Sequence, residues 1–229
     1  MISNRQESLV TVTNPRSPVS EAYRTLRTNL EFSSLDKPIK TMVVTSASPE
    51  EGKSTTLANL AVTMAQAGKK VILVDCDLRR PSQHQIFGLG NGEGLTTMVV
   101  DEQAMKNPPL QETGIDGLQV LPSGPLPPNP SELLSSRRME EIISFLSEEA
   151  DIVLFDAPPI IAVTDAAVLS SKVDGVLLVI NAGGTKRDHA QSARTSLEKV
   201  NARLIGVVLN NVRFDTSLHR YYAEQRRIG

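Results

Sequence analysis

Short apolar runs separated by segments with helical periodicity are the feature of this sequence that most constrains its fold. The runs are continuous rather than alternating, as expected of strands that are covered by helices on both faces of a sheet. Strands that alternate with helices along a chain predict an α/β protein with a doubly wound, mostly parallel sheet flanked by helices. The predicted strands are Met42–Val44, Val71–Val74, Leu118–Leu121, Ile152–Phe155, Val176–Ile180 and Leu204–Leu209.

Helix signals fall before and between these strands. Ser17 and Pro18 predict the start of a helix, and a second helix is predicted to begin near Gly52 and to end at Gly68. A third begins at Asn129, with proline at its first position and Glu132 placed to complete a capping box. The apolar stripe of the first helix is formed by Val19, Ala22, Tyr23, Leu26 and Leu30, and later helices are expected around Thr164–Ser171 and Thr185–Val200.

The length of 229 residues suits one domain with a buried core. Within it we expect an N-terminal arm at 1–16, a first helix at 17–34 and a C-terminal tail at 213–229. The stretch from 87 to 117 is rich in glycine and proline and predicts loops.

Charge and composition restrict the partners. The net charge of −2 and the aromatic content of 3% argue against a nucleic-acid partner. The lone cysteine, Cys76, favours a reducing cytoplasm. Every apolar run is far shorter than the roughly 20 residues of a membrane-spanning helix, so we expect contact with a membrane only through a partner.

A phosphate-binding segment follows the first predicted strand. Residues 46–55 read Ser-Ala-Ser-Pro-Glu-Glu-Gly-Lys-Ser-Thr and lead into a helix. Backbone N–H groups at such a strand–loop–helix junction bind phosphates, while Lys53 neutralises them and Ser54 coordinates Mg²⁺. This predicts a P-loop NTPase fold that binds ATP and Mg²⁺, although Ala47 stands where the full motif has glycine. The predicted nucleotide-binding residues of this segment are Ser48, Glu50, Glu51, Gly52, Lys53, Ser54 and Thr55.

Three carboxylates follow two other predicted strands. Asp75 and Asp77 come after Val71–Val74, and Asp156 comes after Ile152–Phe155. Because ligands of parallel sheets bind at the carboxyl ends of the strands, the three are expected to converge near the phosphates. We expect Ser54, Asp77 and Asp156 to hold the metal.

With these motifs in place, the chain resembles the bacterial tyrosine kinases (BY-kinases), cytoplasmic regulators of capsule and exopolysaccharide synthesis. The resemblance covers roughly 18–212. It includes the phosphate segment, the run Asp-Cys-Asp-Leu-Arg-Arg-Pro at 75–81, Asp-Ala-Pro-Pro at 156–159, and Pro-Pro-Asn-Pro-Ser-Glu-Leu-Leu at 127–134. Glu21, Arg24 and Arg27 resemble the oligomerisation motif Glu-x-x-Arg-x-x-Arg of that family.

The resemblance implies an ATP-dependent protein-tyrosine kinase that autophosphorylates in trans within a ring-like homo-oligomer. It implies that Lys53, Asp75 and Asp77 serve catalysis, that Asp75 activates the incoming tyrosine hydroxyl and that Asn210 contacts adenine. The sequence by itself does not separate the roles of Asp75 and Asp77. Tyr221 and Tyr222 are the expected phosphoacceptors. A membrane activator of the polysaccharide co-polymerase type is the implied partner, which would recruit the protein to the inner face of the cell membrane.

Two other functions share this fold. One is an ATPase switch of the MinD/ParA type, whose loop carries an additional lysine where this chain has Ser48; that difference favours the kinase. The other is an ATP-binding scaffold without kinase activity, against which the presence of Lys53 and the three aspartates argues. The kinase family usually has glycine at the position of Glu50, and a carboxylate there is expected to weaken ATP binding.

Overall fold

The computed structural model describes residues 9–33 and 38–212. Within these ranges seven strands form one sheet in the order β3-β4-β2-β5-β1-β6-β7, and all neighbours are parallel except β3 and β4. This confirms the predicted doubly wound, mostly parallel sheet. The strands are β1 Thr41–Ser46, β2 Val71–Asp75, β3 Gln111–Glu112, β4 Leu118–Leu121, β5 Ile152–Asp156, β6 Gly175–Asn181 and β7 Leu204–Asn210.

Ten helices, several of them a single turn, connect the strands in the described part of the chain. They are α1 Val10–Thr13, α2 Pro18–Ser33, α3 Lys53–Gln66, α4 Gln83–Phe87, α5 Leu95–Val100, α6 Gln103–Lys106, α7 Pro130–Ser135, α8 Arg137–Glu149, α9 Asp165–Ser170 and α10 Arg187–Lys199. None of these helices combines the length and the apolar character that crossing a bilayer requires.

The central strands are buried on both faces, which explains their continuous apolar sequences. Strands β1, β2 and β5 are buried along their whole length. Successive side chains point to opposite faces, so Val43 and Phe155 pack with α8 and α9, whereas Val44 and Leu154 pack with α2 and α3. The edge strand β7 is not buried on both faces, and Leu209 is 59% exposed.

The first helix begins as predicted, although its buried face differs from the prediction. The hydroxyl of Ser17 accepts a hydrogen bond from the backbone N–H of Ser20 at 3.1 Å, as an N-cap does. Val19 of the predicted stripe is 40% exposed, and Ser20 is buried instead. The burial of Ser20 is possible because its hydroxyl donates to the carbonyl groups of Val10 and Asn14.

Part of the predicted N-terminal arm is packed against the domain. Residues 10–13 form the short helix α1, and Leu9 and Thr11 are buried. The backbone N–H and the hydroxyl of Thr11 both donate to Asn59 Oδ1 of α3, at 3.1 and 2.9 Å. Polar contacts with α3 therefore order residues 9–13, although this segment lacks apolar periodicity.

Three further predictions need correction. The helix predicted from Asn129 is divided into α7 and α8, with Ser136 between them accepting a hydrogen bond from the N–H of Met139. The capping box is wrong, because the amide of Asn129 donates to the Glu132 carboxylate at 3.1 Å and does not cap the backbone. The stretch 87–117, predicted as loops, contains the short elements α5, α6 and β3.

Candidate nucleotide and metal site

The phosphate loop connects β1 to α3 and has a backbone that favours glycine. Glu50 and Gly52 adopt the left-handed conformation, with φ of 62° and 84°. The φ of Gly52 favours glycine, and a Cβ there would lie 2.1 Å from Nδ2 of Asn210, so a side chain at position 52 would displace the Asn210 amide. The loop ends at the N-terminus of the 14-residue helix α3, whose free N–H groups and dipole favour an anion. The local geometry is that of a phosphate cradle.

The predicted metal ligands converge on the ammonium group of Lys53. Its Nζ lies 2.9 Å from Oδ2 of Asp77, 3.2 Å from Oδ1 of Asp156 and 3.1 Å from Oγ of Ser54. Burial disfavours the charged form of Lys53, but the charges of Asp156 and Asp77 outweigh it and raise the lysine pKa above its usual value. The three oxygen ligands predicted from sequence therefore surround a single cationic centre.

These donors fit Mg²⁺ in chemical type. Mg²⁺ prefers oxygen ligands and commonly uses one or two carboxylates together with substrate phosphates. No group of three or more His, Cys, Asp or Glu residues in the described part of the chain could hold a metal ion. The arrangement of two carboxylates and the Ser54 hydroxyl thus suits a cation that is completed by the phosphates of a nucleotide.

Asp75 lies apart from this centre, although it was expected to converge with the other carboxylates. It is fully buried, and its Oδ2 accepts hydrogen bonds from the backbone N–H groups of Ser82 and Gln83, both at 2.9 Å. Its Oδ1 accepts from the N–H of Asp77 at 3.3 Å. Burial and the nearby charge of Asp156 raise the pKa of Asp75 to about 8. Asp75 therefore stabilises the turn 76–83, while Asp77 faces Lys53.

Gln83 is a site residue that the sequence analysis missed. It follows the aspartate-rich turn, is fully buried, and its Nε2 donates to Oδ2 of Asp156 at 2.7 Å and to the carbonyl oxygen of Ser54 at 3.2 Å. It lies beyond the strand end on which the prediction was based. Its position two residues after the conspicuous run at 75–81 was the available signal.

The opposite side of the phosphate loop contacts the connection between β6 and α10. The Thr185 hydroxyl donates to Oε1 of Glu51 at 2.6 Å, and the Ser48 hydroxyl lies 2.9 Å from Nδ1 of His189. A cavity of about 340 Å³ separates the two segments. It is lined by Ser48, Pro49, Glu50, Glu51, Asn181, Gly184, Thr185, Lys186 and His189.

Thr55, the last of the predicted nucleotide-binding residues of the loop segment, lies in the first turn of α3, next to Ser54.

Asn210 and the residues of α2 make contacts that the sequence did not predict. The Asn210 amide donates to the carbonyl oxygen of Glu51 at 2.9 Å and so supports the phosphate loop, while its contact with adenine stays a prediction. On α2, Arg24 binds Glu21 and the carbonyl of Pro15, whereas Arg27 donates to the carbonyl of Thr63 on α3.

The predicted phosphoacceptors, Tyr221 and Tyr222, lie outside the described residues.

Comparison with known proteins agrees with this geometry. The family model of the CobQ/CobB/MinD/ParA nucleotide binding domain matches residues 42–228, so fold and site define a P-loop nucleotide-binding protein of that class. The chain is 45% identical over 221 residues to "Tyrosine-protein kinase YwqD" of Bacillus subtilis (strain 168), a match that covers 96% of this chain and 93% of that protein.

Solved structures place it more narrowly within the class. The chimerical protein CapA2B2 matches with a TM-score of 0.86 and 40% identity, over 91% of each chain. The kinase domain of the Escherichia coli tyrosine kinase ETK matches with a TM-score of 0.85 and 34% identity, over 91% of this chain and 82% of that one. The chain belongs to the bacterial tyrosine kinase family.

Proposed function

We propose that this protein is an ATP-dependent protein-tyrosine kinase that phosphorylates tyrosines of its own C-terminal tail in a neighbouring subunit. The observation that carries the proposal is the convergence of Asp77, Asp156 and Ser54 on Lys53 beside a phosphate loop. Membership of the tyrosine kinase family supports the choice of a tyrosine hydroxyl as acceptor.

The residues of the site suit phosphoryl transfer, which depends on positioning and on neutralising charge. The backbone of the loop and the N-terminus of α3 bind the phosphates, and Lys53 neutralises the charge that spreads over the moving group. Mg²⁺, when bound by Ser54, Asp77 and Asp156, supplies further positive charge at the phosphates.

Asp75 is the proposed acceptor of the tyrosine proton, as the family resemblance implies. A general base works best when its pKa lies near the operating pH, and burial raises the pKa of Asp75 to about 8. Its oxygens accept hydrogen bonds from the turn 76–83, so this turn must move for a tyrosine hydroxyl to reach Asp75.

The cellular part of the proposal depends on the family resemblance. We infer a ring-like homo-oligomer in the cytoplasm that presents Tyr221 and Tyr222 of one subunit to the site of the next. A membrane activator of the polysaccharide co-polymerase type would recruit the ring to the inner face of the membrane. The output would be control of capsule or exopolysaccharide synthesis or export.

The deciding experiment is incubation of the purified protein with Mg²⁺ and ATP, followed by mass spectrometry of phosphotyrosine. We expect phosphate on Tyr221 or Tyr222 in the native protein and at least about a hundredfold less in Lys53→Met, since loss of one stabilising donor costs roughly 10²–10³ in rate. Lys69→Met, at an exposed lysine just beyond α3, is the matched control and is expected to behave as the native protein.

Two outcomes would overturn the kinase assignment. Release of free phosphate by the native protein without phosphotyrosine would support the alternative of an ATPase switch of the MinD/ParA type. Binding of ATP with neither product, also in the presence of a membrane activator's cytoplasmic segment, would support a scaffold.

A further inference from the structure

Gln83 connects three segments that build the site. Its backbone N–H donates to Asp75 at the end of β2, and its side-chain nitrogen donates to Asp156 at the end of β5 and to the carbonyl of Ser54 in α3. The side chain is fully buried. A single residue thus contacts the ends of β2 and β5 and the helix that follows the phosphate loop.

The orientation of the Gln83 amide follows from hydrogen-bond chemistry. The two neighbours of Nε2 are a carboxylate oxygen and a carbonyl oxygen, both acceptors, so the NH₂ group must face them. Both hydrogens of the nitrogen are then used. The Oε1 atom is buried and has no hydrogen-bond partner within residues 9–33 and 38–212. Such a buried, unpaired acceptor is uncommon for a residue that serves packing alone.

The two carboxylate oxygens of Asp156 have different partners. Oδ2 accepts the hydrogen bond from Gln83, and Oδ1 faces Lys53 at 3.2 Å. Asp156 is fully buried, so the direction of its carboxylate depends on these neighbours rather than on water. Partners of this kind orient metal-ligating carboxylates in many proteins, and their loss typically costs about 10–100-fold in metal affinity.

We propose that Gln83 is a positioning residue for the divalent cation: it holds Asp156 so that Oδ1 is presented to the cation, and it couples Asp156 to Ser54. The residue acts through Asp156, to which its side chain donates a hydrogen bond. This inference rests on the proposed use of Mg²⁺ and ATP, and it adds a residue outside the predicted ligand set.

The test measures binding of ADP as a function of Mg²⁺ concentration in native protein and in Gln83→Met, which keeps an unbranched side chain of similar length. We expect the Mg²⁺ concentration at half-maximal enhancement of ADP binding to rise about tenfold or more in Gln83→Met. The affinity for ADP without Mg²⁺ should stay within about twofold of the native value. A variant in which the site had lost its fold would lose this affinity as well. Gln119→Met, at an amide that pairs with Glu112 on the sheet edge, is the matched control.

The outcomes separate this inference from the proposed function. If the native protein binds ADP without any Mg²⁺ dependence, the proposed cofactor use fails. If the native protein shows that dependence and Gln83→Met shifts its midpoint by less than about twofold, the positioning role is wrong. Should Gln83→Met not fold, Gln83→Asn makes the same test, because its shorter amide cannot reach both acceptors.

Discussion

At the scale of single residues, the phosphate loop has two left-handed positions, of which one is occupied by glycine and the other by glutamate. Gly52 suits its left-handed φ of 84°, and a side chain there would displace the Asn210 amide. Glu50 shares the left-handed conformation with φ of 62°, although it is not glycine, and its exposed carboxylate lines the cavity beside the loop. A left-handed backbone costs an L-residue roughly 1–2 kcal/mol, so Glu50 is a strained position inside the binding loop.

Replacing Glu50 should improve both stability and nucleotide binding. Glu50→Gly removes the backbone strain and is expected to raise the free energy of unfolding by about 1 kcal/mol, measured by urea denaturation. It also removes a negative charge near the phosphates, which we expect to strengthen ATP binding about fivefold in calorimetric titrations, from roughly 1 kcal/mol of repulsion.

Glu50→Gln separates the two effects, because it removes the charge and keeps the strained backbone. It should gain affinity without gaining stability. An unchanged affinity for ATP in both variants would contradict the idea that this carboxylate opposes the phosphates.

At the scale of elements, Asp165 joins the turn 76–83 to two helices. This residue begins α9, is fully buried, and accepts two hydrogen bonds from Arg79 of the turn, at 2.7 and 3.1 Å. Ser131 of α7 also donates to its carboxylate. Burial disfavours the charged carboxylate, but the hydrogen bonds from Arg79 and Ser131 outweigh it and lower the pKa of Asp165 below its usual value of 3.8. The turn that carries Asp77 is therefore anchored to α7 and α9 through one carboxylate.

This anchor predicts a pH-dependent contribution to stability. Because the pKa of Asp165 is lower in the folded than in the unfolded state, its contribution is complete above the usual value of 3.8 and is lost as pH falls through the folded value. Asp165→Asn is expected to cost about 1–3 kcal/mol in free energy of unfolding at pH 7, the typical effect of losing hydrogen bonds to a buried charge.

Urea unfolding between pH 7 and pH 3 measures this contribution. The difference between native protein and Asp165→Asn should narrow below about pH 4. Asp101→Asn, at an exposed carboxylate that accepts from the N–H of Gln103, is the control and should change stability by less than about 0.5 kcal/mol. A difference for Asp165→Asn that stays constant with pH would contradict the role of the charge.

At the scale of the whole molecule, α2 is the element whose role in assembly is predicted. Arg27 packs its guanidinium against α3 through the carbonyl of Thr63, so it contributes to the fold of one subunit. Glu21 and Arg24 form an ion pair on the outer side of the helix, with side-chain exposures of 70% and 31%. The outer pair is thus the part of the motif that is free to face a neighbouring subunit.

We expect light scattering after size exclusion to give the purified protein a mass above the chain mass of 24.8 kDa. The double change Glu21→Ala with Arg24→Ala should lower the measured mass towards that of one chain. Arg27 is left unchanged in this test, because its removal would also disturb the packing of α2. The matched control replaces Arg194 and Glu198, an exposed ion pair on α10, by alanine. If the mass of the Glu21/Arg24 variant equals that of the native protein, the assignment of this motif to assembly is wrong.

Much of the fold could be predicted from local sequence. Continuous apolar runs located six of the strands, since burial on both faces favours apolar side chains along the middle of a central strand. The loop before Lys53 and the aspartates after β2 and β5 located the site, because the carboxyl ends of parallel strands meet at one edge of the sheet. The antiparallel β3, only two residues long, and the short α1 carry no such pattern.

The sequence by itself determined six of the seven strands, where the phosphate loop lies, and which oxygens surround Lys53, because these follow from neighbours along the chain and from one sheet edge. Only the tertiary structure decided that Asp75 faces the turn rather than Lys53, and that Gln83 and Asp165 support the site. These contacts join residues far apart in sequence, such as Gln83 and Asp156 at a separation of 73 residues. Their partners are chosen by how the elements pack, which no local pattern specifies.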